Sequence, residues 1–251
     1  MNIFSEMFHS VFDLKSYRRF LGDKDRKTFL FGFVLVLIYF LITVIVPLIR
    51  FRVSTGGVIN LLDERIPDLV VKNSEVTASR RLEFEGWGIC IFVDTDLPHS
   101  QAGDAERYLA DYPMGLFMDQ DQAVIKNNGK IRRILYRDID PDVYWSKDLF
   151  LEQAEKFLNV VIAIGLTVIF AGMELLFFLG ALAVALLGML VASCKNDCDL
   201  TFGQLYKLGI YTRTTPVLIK ALLSIFHFWI PFYTVISIGV SLLYLSAVID
   251  R

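Results

Sequence analysis

Glu174, Arg213 and Lys220 stand in stretches of chain that are otherwise almost free of charge. A charge near the middle of a bilayer costs about 2.5–3.5 kcal/mol on insertion scales, so each of these side chains must face protein or water. A carboxylate and a cation at matched depth can form a polar site or ion relay, or a buried pair that fixes helix register. Glu174 lies about 20 residues before a short polar loop at 195–207, and Lys220 about 15 after it; at 1.5 Å per residue, two straight antiparallel helices would bring them to similar depth. Arg213, nearer that loop, can reach the interface by snorkelling. With no second acidic residue in any apolar stretch, the registry pair is the simpler expectation. Within Tyr211-Thr212-Arg213-Thr214-Thr215-Pro216, Pro216 removes a backbone donor and predicts a helix kink, which can serve gating or packing.

Other chemistry-bearing residues are sparse. Asp94 and Asp96 flank Thr95, and Asp138, Asp140 and Asp142 alternate, but the glycine and distal glutamate of a calcium-binding hand are missing. These read as solvated loop acids. The three histidines are far apart in sequence, and Cys90 is the only cysteine between the first two apolar runs, so no disulfide framework is implied there. Cys194 and Cys198 could accept a palmitoyl group or a metal, or be incidental. Phosphate-binding glycine loops, nucleophile elbows and Cys/His pairs of catalytic spacing are lacking. The expectation is therefore no catalytic residue, no metal ligand, no cofactor and no enzyme.

The elements that must position these residues follow from hydropathy. Apolar residues make up 55% of the chain, with mean hydropathy +0.51, above the roughly 45–50% of soluble domains. The formal charge of −2 gives no field for nucleic acid. Residues 1–28 read as a cytoplasmic amphipathic helix, with Phe4, Met7, Phe8, Val11 and Phe12 at helical spacing and Lys15, Arg18 and Arg19 after them. It lies on the membrane surface or packs on the bundle. No secretory signal is expected, and the first apolar run reads as a retained anchor.

Residues 29–49 carry no charge and are long enough for a first crossing; the basic flank before them predicts a cytoplasmic N-terminus. Residues 50–150 read as a small extracytoplasmic α+β domain. Its expected strands are Leu69–Lys72, Ile89–Val93, Leu116–Met118, Ala123–Lys126 and Ile131–Tyr136, with short helices at Gly57–Arg65 and Asp104–Tyr112. Asn127-Asn128-Gly129 is a hairpin turn signal. Residues 151–194 form one long tilted membrane helix, or two with a turn near Gly172–Glu174. Residues 208–226 and 229–249 supply the last two crossings. The fold class expected is thus an α-helical polytopic membrane protein, with four transmembrane helices, or five if 151–194 turns back, and an inserted α+β domain.

Several stretches resemble a bacterial membrane-protein family, domain of unknown function 1189, some of whose members are labelled maltodextrin utilization protein. They are Met1-Asn2-Ile3-Phe4-Ser5 with Lys15-Ser16-Tyr17, then Ile66-Pro67-Asp68-Leu69 and Phe92-Val93-Asp94-Thr95. Gly115-Leu116-Phe117-Met118 with Ala123-Val124-Ile125, and Phe202-Gly203-Gln204-Leu205-Tyr206-Lys207 through Pro216, complete the likeness. Asp96, Arg213 and Lys220 depart from the family's usual residues. The family's membrane part is similar to Yip-type polytopic bundles. The resemblance implies a bacterial plasma membrane and a non-catalytic role, and the label of some members allows a link to carbohydrate uptake.

The function expected is an accessory or scaffold protein of the bacterial envelope whose exported domain contacts a partner or ligand. Its partners would be the lipid bilayer and other membrane or envelope proteins, with a homo-oligomer allowed and nucleic acid excluded. The competing expectations are a small transporter or channel using a Glu174–Lys220 site, and a ligand sensor acting through the helix at Pro216.

Overall fold

The computed structural model describes residues 2–98, 105–193, 200–226, 228 and 230–249. Chain order begins with helices α1 (Ile3–Phe12), α2 (Tyr17–Leu21), α3 (Asp25–Phe40), α4 (Val46–Thr55) and α5 (Val58–Arg65). Strands β1 (Leu69–Lys72), β2 (Glu75–Ala78), β3 (Leu82–Gly86) and β4 (Ile89–Val93) follow, then helix α6 (Ala105–Tyr108). Next come β5 (Met114–Met118), β6 (Gln122–Asn127), β7 (Lys130–Leu135) and β8 (Trp145–Ser146). Helices α7 (Lys147–Ser193), α8 (Phe202–Thr212), α9 (Thr214–Ile225) and α10 (Tyr233–Ile249) complete the chain. Two units result, a helical one of Met1–Arg50 with Ile162–Arg251 and a sheet-bearing one of Phe51–Val161.

Two helical stretches, Asp25–Arg65 and Lys147–Ser193, are long and apolar enough to cross a membrane. The second is a single uninterrupted helix of 47 residues, about 70 Å long at 1.5 Å per residue, and it does not turn back at Gly172–Glu174. The first runs beyond the apolar stretch to Thr55 and contains a π turn at Leu41–Ile45. Pro47 explains the π turn: its ring would collide with the Thr43 carbonyl and it has no N–H to offer, so the preceding turn widens.

The segment expected as one membrane helix, 208–226, is instead two. α8 has 11 residues and α9 has 12, with Arg213 between them at φ −77°, ψ −8°. Neither half alone spans a hydrocarbon core of about 30 Å. Pro216 is the cause, because it cannot donate to the Thr212 carbonyl and crowds it. Neighbouring hydroxyls settle around the break, Thr212 Oγ1 donating to Gly209 O at 3.2 Å and Thr214 Oγ1 to Tyr211 O at 2.8 Å. α8 also begins inside the expected polar loop, where Thr201 and Gln204 form a reciprocal capping box. The last helix begins at Tyr233, later than expected, and has 17 residues; Trp229 and Lys195 lie outside the described residues.

α1 packs one face on α8 and α9. Glu6, Met7 and Ser10 are buried on that face, whereas Phe4, Phe8 and Phe12 are 65%, 62% and 73% exposed. The helix therefore presents a bare aromatic stripe while its polar residues turn inward, Glu6 forming an ion pair with Lys27. Behind it, Phe20 and Phe31 close on Tyr211 with ring centroids 4.2 and 4.4 Å away. Small residues let the helices approach: a Cβ on Gly209 would lie 2.8 Å from the Ala181 carbonyl oxygen.

The sheet unit contains two sheets among the described residues. β3-β4-β5-β6-β7 form a five-stranded sheet and β2-β1-β8 a three-stranded one. Only the β4–β5 pair is parallel, so the chain must cross over between them, and α6 lies in that crossover. Alternation along β4 serves both faces. Cys90 and Phe92 join Leu109 and Phe117 in one core, with the Phe92 and Phe117 rings stacked at 4.9 Å. Val93 faces the other core with Leu69, Val76 and Tyr136. Strands β2 and β3, absent from the expectation, are connected by hairpins that turn on Asn73-Ser74 and Trp87-Gly88; like Asn128-Gly129, both residues of each pair have positive φ.

Candidate functional site

In the helical unit Arg213, 7% exposed, sits at the break between α8 and α9. Its Nη1 donates to Phe177 O at 2.7 Å and, more weakly, to Leu176 O at 3.5 Å. The guanidinium carbon lies 5.1 Å from the centre of the Phe177 ring. Gly180 makes this possible, because a Cβ there would overlap the guanidinium. Arg213 Nε is buried with no hydrogen-bond partner.

Lys220 has its ammonium 5.7 Å from the centre of the Tyr39 ring and 5.6 Å from that of Tyr233. Tyr233 in turn donates its hydroxyl to Pro216 O. Glu174 stands apart. Both its carboxylate oxygens are buried, and it makes no hydrogen bond or ion pair among the described residues. The Glu174–Lys220 pair is therefore not formed. A depth match along one straight helix does not survive the break at Arg213, and the two tyrosine faces already hold the ammonium.

A cavity of about 290 Å³ lies between these helices, its wall including Val36, Tyr39, Phe177, Arg213, Lys220 and Ser237. A second cavity of about 560 Å³ shares Tyr39, Lys220, Tyr233 and Thr234 with the first. It continues past Thr43, in the π turn, towards Phe228 and Phe232 between α9 and α10.

The sheet unit carries a larger groove, about 1010 Å³, bordered by β2, the β5–β6 turn and the end of β7. Asn73, Thr77, Asp121, Arg133, Tyr136 and Arg137 are among its lining residues. Tyr136 is 4% exposed, and its hydroxyl is buried without a partner. Burial pushes the Tyr136 phenol well above its usual range, the carboxylates of Asp119 and Asp121 adding to the effect. Asp119 fixes the β5–β6 turn by accepting from Asp121 N at 2.8 Å and Gln122 N at 2.9 Å. The groove thus offers charged groups of both signs, suited to an extended polar ligand or peptide.

Lys147, the first residue of α7, is 9% exposed and bonds Asp63 at 2.7 Å and Asp68 at 3.0 Å. The Asp63 carboxylate first, then that of Asp68, holds its ammonium above the usual lysine range. Asp94 Oδ1 and Asp140 Oδ1 accept from the amides of Asp96 and Asp142, closing local turns. Among the described residues no group of three His, Cys, Asp or Glu side chains is placed to hold a metal. Cys194, Cys198, His99, His227 and Asp104 lie outside the described residues. Cys90 is buried and free; the groove and the Arg213 pocket were not foreseen from sequence.

No curated protein and no solved structure matches the chain. A family model described as Protein of unknown function (DUF1189) matches residues 4–249. With that match covering nearly its whole length, the chain belongs to the DUF1189 family.

Proposed function

We propose that the protein is a non-enzymatic accessory or scaffold protein of the bacterial plasma membrane, whose sheet unit is exported and binds another envelope component. In this reading the chain crosses the membrane four times with its N-terminus in the cytoplasm. The basic residues Lys15, Arg18, Arg19, Lys24, Arg26 and Lys27 before α3 support that orientation. The α8–α9 pair together makes one broken crossing and α10 the last.

The observation that carries the reading is the groove. It unites Tyr136, whose buried hydroxyl has no partner, with exposed Thr77 and Arg137 along one polar surface. A polar concavity whose rim presents exposed Thr77 and Arg137 suits recognition of a partner segment. Transport through a Glu174–Lys220 relay is less favoured, since an unpaired Glu174 offers no relay partner.

The test is crosslinking in living cells followed by purification in gentle detergent. The wild-type protein should bring down a defined envelope partner, and Arg133→Glu with Arg137→Glu should cut its recovery about tenfold, as loss of charge-assisted contacts at an interface does. Recovery of the protein only by itself, or of the same partner undiminished by the double substitution, would sink the proposal.

A further inference from the structure

The cavity at Arg213 and Lys220 poses a separate problem of charge. Two cationic side chains line one chamber in the helical unit, and among the described residues the chamber's wall contains no carboxylate. Arg213 is held by carbonyl oxygens and a ring face, and Lys220 by two rings. Carbonyl dipoles and aromatic quadrupoles lower the energy of a cation without cancelling its charge. Glu174, the one acid of the long apolar stretch, does not pair with either cation and is not on the cavity wall. The buried Arg213 Nε, with no partner, is a vacant donor at the same place.

From this arrangement we propose that the cavity is a binding site for an anionic phosphoryl group. A phosphoryl oxyanion would neutralise both cations, and guanidinium and ammonium are its usual recognition groups. Ser237 and Thr234 add hydroxyls to the wall. The remaining wall, Val36, Met173, Leu176, Phe177 and Val217, is apolar. Such a lining suits a headgroup that arrives with hydrocarbon attached better than a fully hydrated free ion. The adjoining cavity supplies the approach: it runs from Lys220 along Thr43 and Ser224 to exposed Phe228 and Phe232. The π turn at Leu41–Ile45 shapes one side of that approach, a role such widened turns often take beside ligand sites. This site is independent of the groove in the sheet unit, so the two proposals fail separately.

The experiment uses the full chain purified in detergent and observed by native mass spectrometry. Phosphatidylglycerol, phosphatidylcholine and inorganic phosphate are offered in separate arms. Retention of phosphatidylglycerol over phosphatidylcholine identifies a lipid headgroup as the source. A mass adduct or thermal shift with inorganic phosphate, and no preference between the lipids, identifies free phosphate. In either case Lys220→Met should weaken retention about tenfold, as loss of one charge-assisted contact does, and Lys220→Arg should restore it. Lys220 makes no ion pair among the described residues, so both variants should fold; Lys220→Gln, which removes the charge and keeps a polar head, gives the same reading if Lys220→Met does not fold. Equal retention of both lipids with no response to phosphate, or retention unchanged in Lys220→Met, would overturn the proposal.

Discussion

Lys147 in the sheet unit and Arg213 in the helical unit are the buried cations among the described residues, and they are accommodated in opposite ways. Lys147 meets two carboxylates and a carbonyl, all on α5 and the entry to β1. Its charge is cancelled, and Asp63 and Asp68 remain half or more exposed to water. Arg213 meets only backbone carbonyls and the Phe177 ring. The sheet unit thus neutralises its buried cation with carboxylates, whereas the helical unit seats Arg213 with no carboxylate beside it. The difference teaches that an apolar bundle can seat a cation with fixed dipoles and a ring face, leaving its charge uncancelled.

Filling the space that Gly180 leaves should give the largest effect. Gly180→Leu expels the guanidinium from its carbonyls and strands it, which costs about 3–5 kcal/mol. Thermal unfolding in detergent should show the drop; a melting point within about 2 °C of wild type would mean that Arg213 is not seated as described.

Lys147→Met should cost less, about 1.5–3 kcal/mol, because Asp63 and Asp68 can take up water. The linkage has a sign. The folded-state pKa of Lys147 is raised above its ordinary value, so its stabilisation is complete below the unfolded lysine pKa, about 10.5, and is lost as pH rises through the folded value. The stability gap between wild type and Lys147→Met, measured by denaturant titration, should therefore narrow above about pH 10.5. A gap that widens there would contradict the pairing.

The smallest effect belongs to Trp87, which is 98% exposed at φ 52°. Trp87→Gly loses no packing and relieves a left-handed backbone, so stability should rise by about 0.5–1 kcal/mol. A fall would reveal a contact of the indole that the exposed hairpin does not show.

The sheet-bearing and helical units were legible in the sequence, but not what each does with its buried cation. The apolar runs announced the two long helices, and Asn128-Gly129 announced the β6–β7 hairpin. Strands β2 and β3 escaped because Glu75, Glu83 and Glu85 lower their strand propensity. Their turns also use Ser74 and Trp87 at positive φ, positions where glycine or asparagine would have been the signal. The start of α8 was readable from Thr201-Phe202-Gly203-Gln204 as a capping box, and Pro47 as a reason for the π turn.

The site divides in the same way. Pro216 marked a break, but sequence distance could not say that Arg213 would take the break itself. The partner of Arg213 is a vacancy at Gly180, and an absent side chain has no chemistry to read. Glu174 and Lys220 were matched by counting along straight helices, which a break three residues before Pro216 defeats. The groove depends on two sheets that meet only in the folded unit, so no local motif foretells it.

Photo-crosslinking in living cells tests the division of labour most directly. A photoreactive residue is placed at Thr77 or Arg137 in the groove, or at Leu222 or Leu243 on exposed apolar faces of α9 and α10. The account predicts a discrete protein adduct from the groove positions and lipid adducts from the helix positions. Protein adducts from Leu222 and Leu243 with none from Thr77 or Arg137 would contradict it.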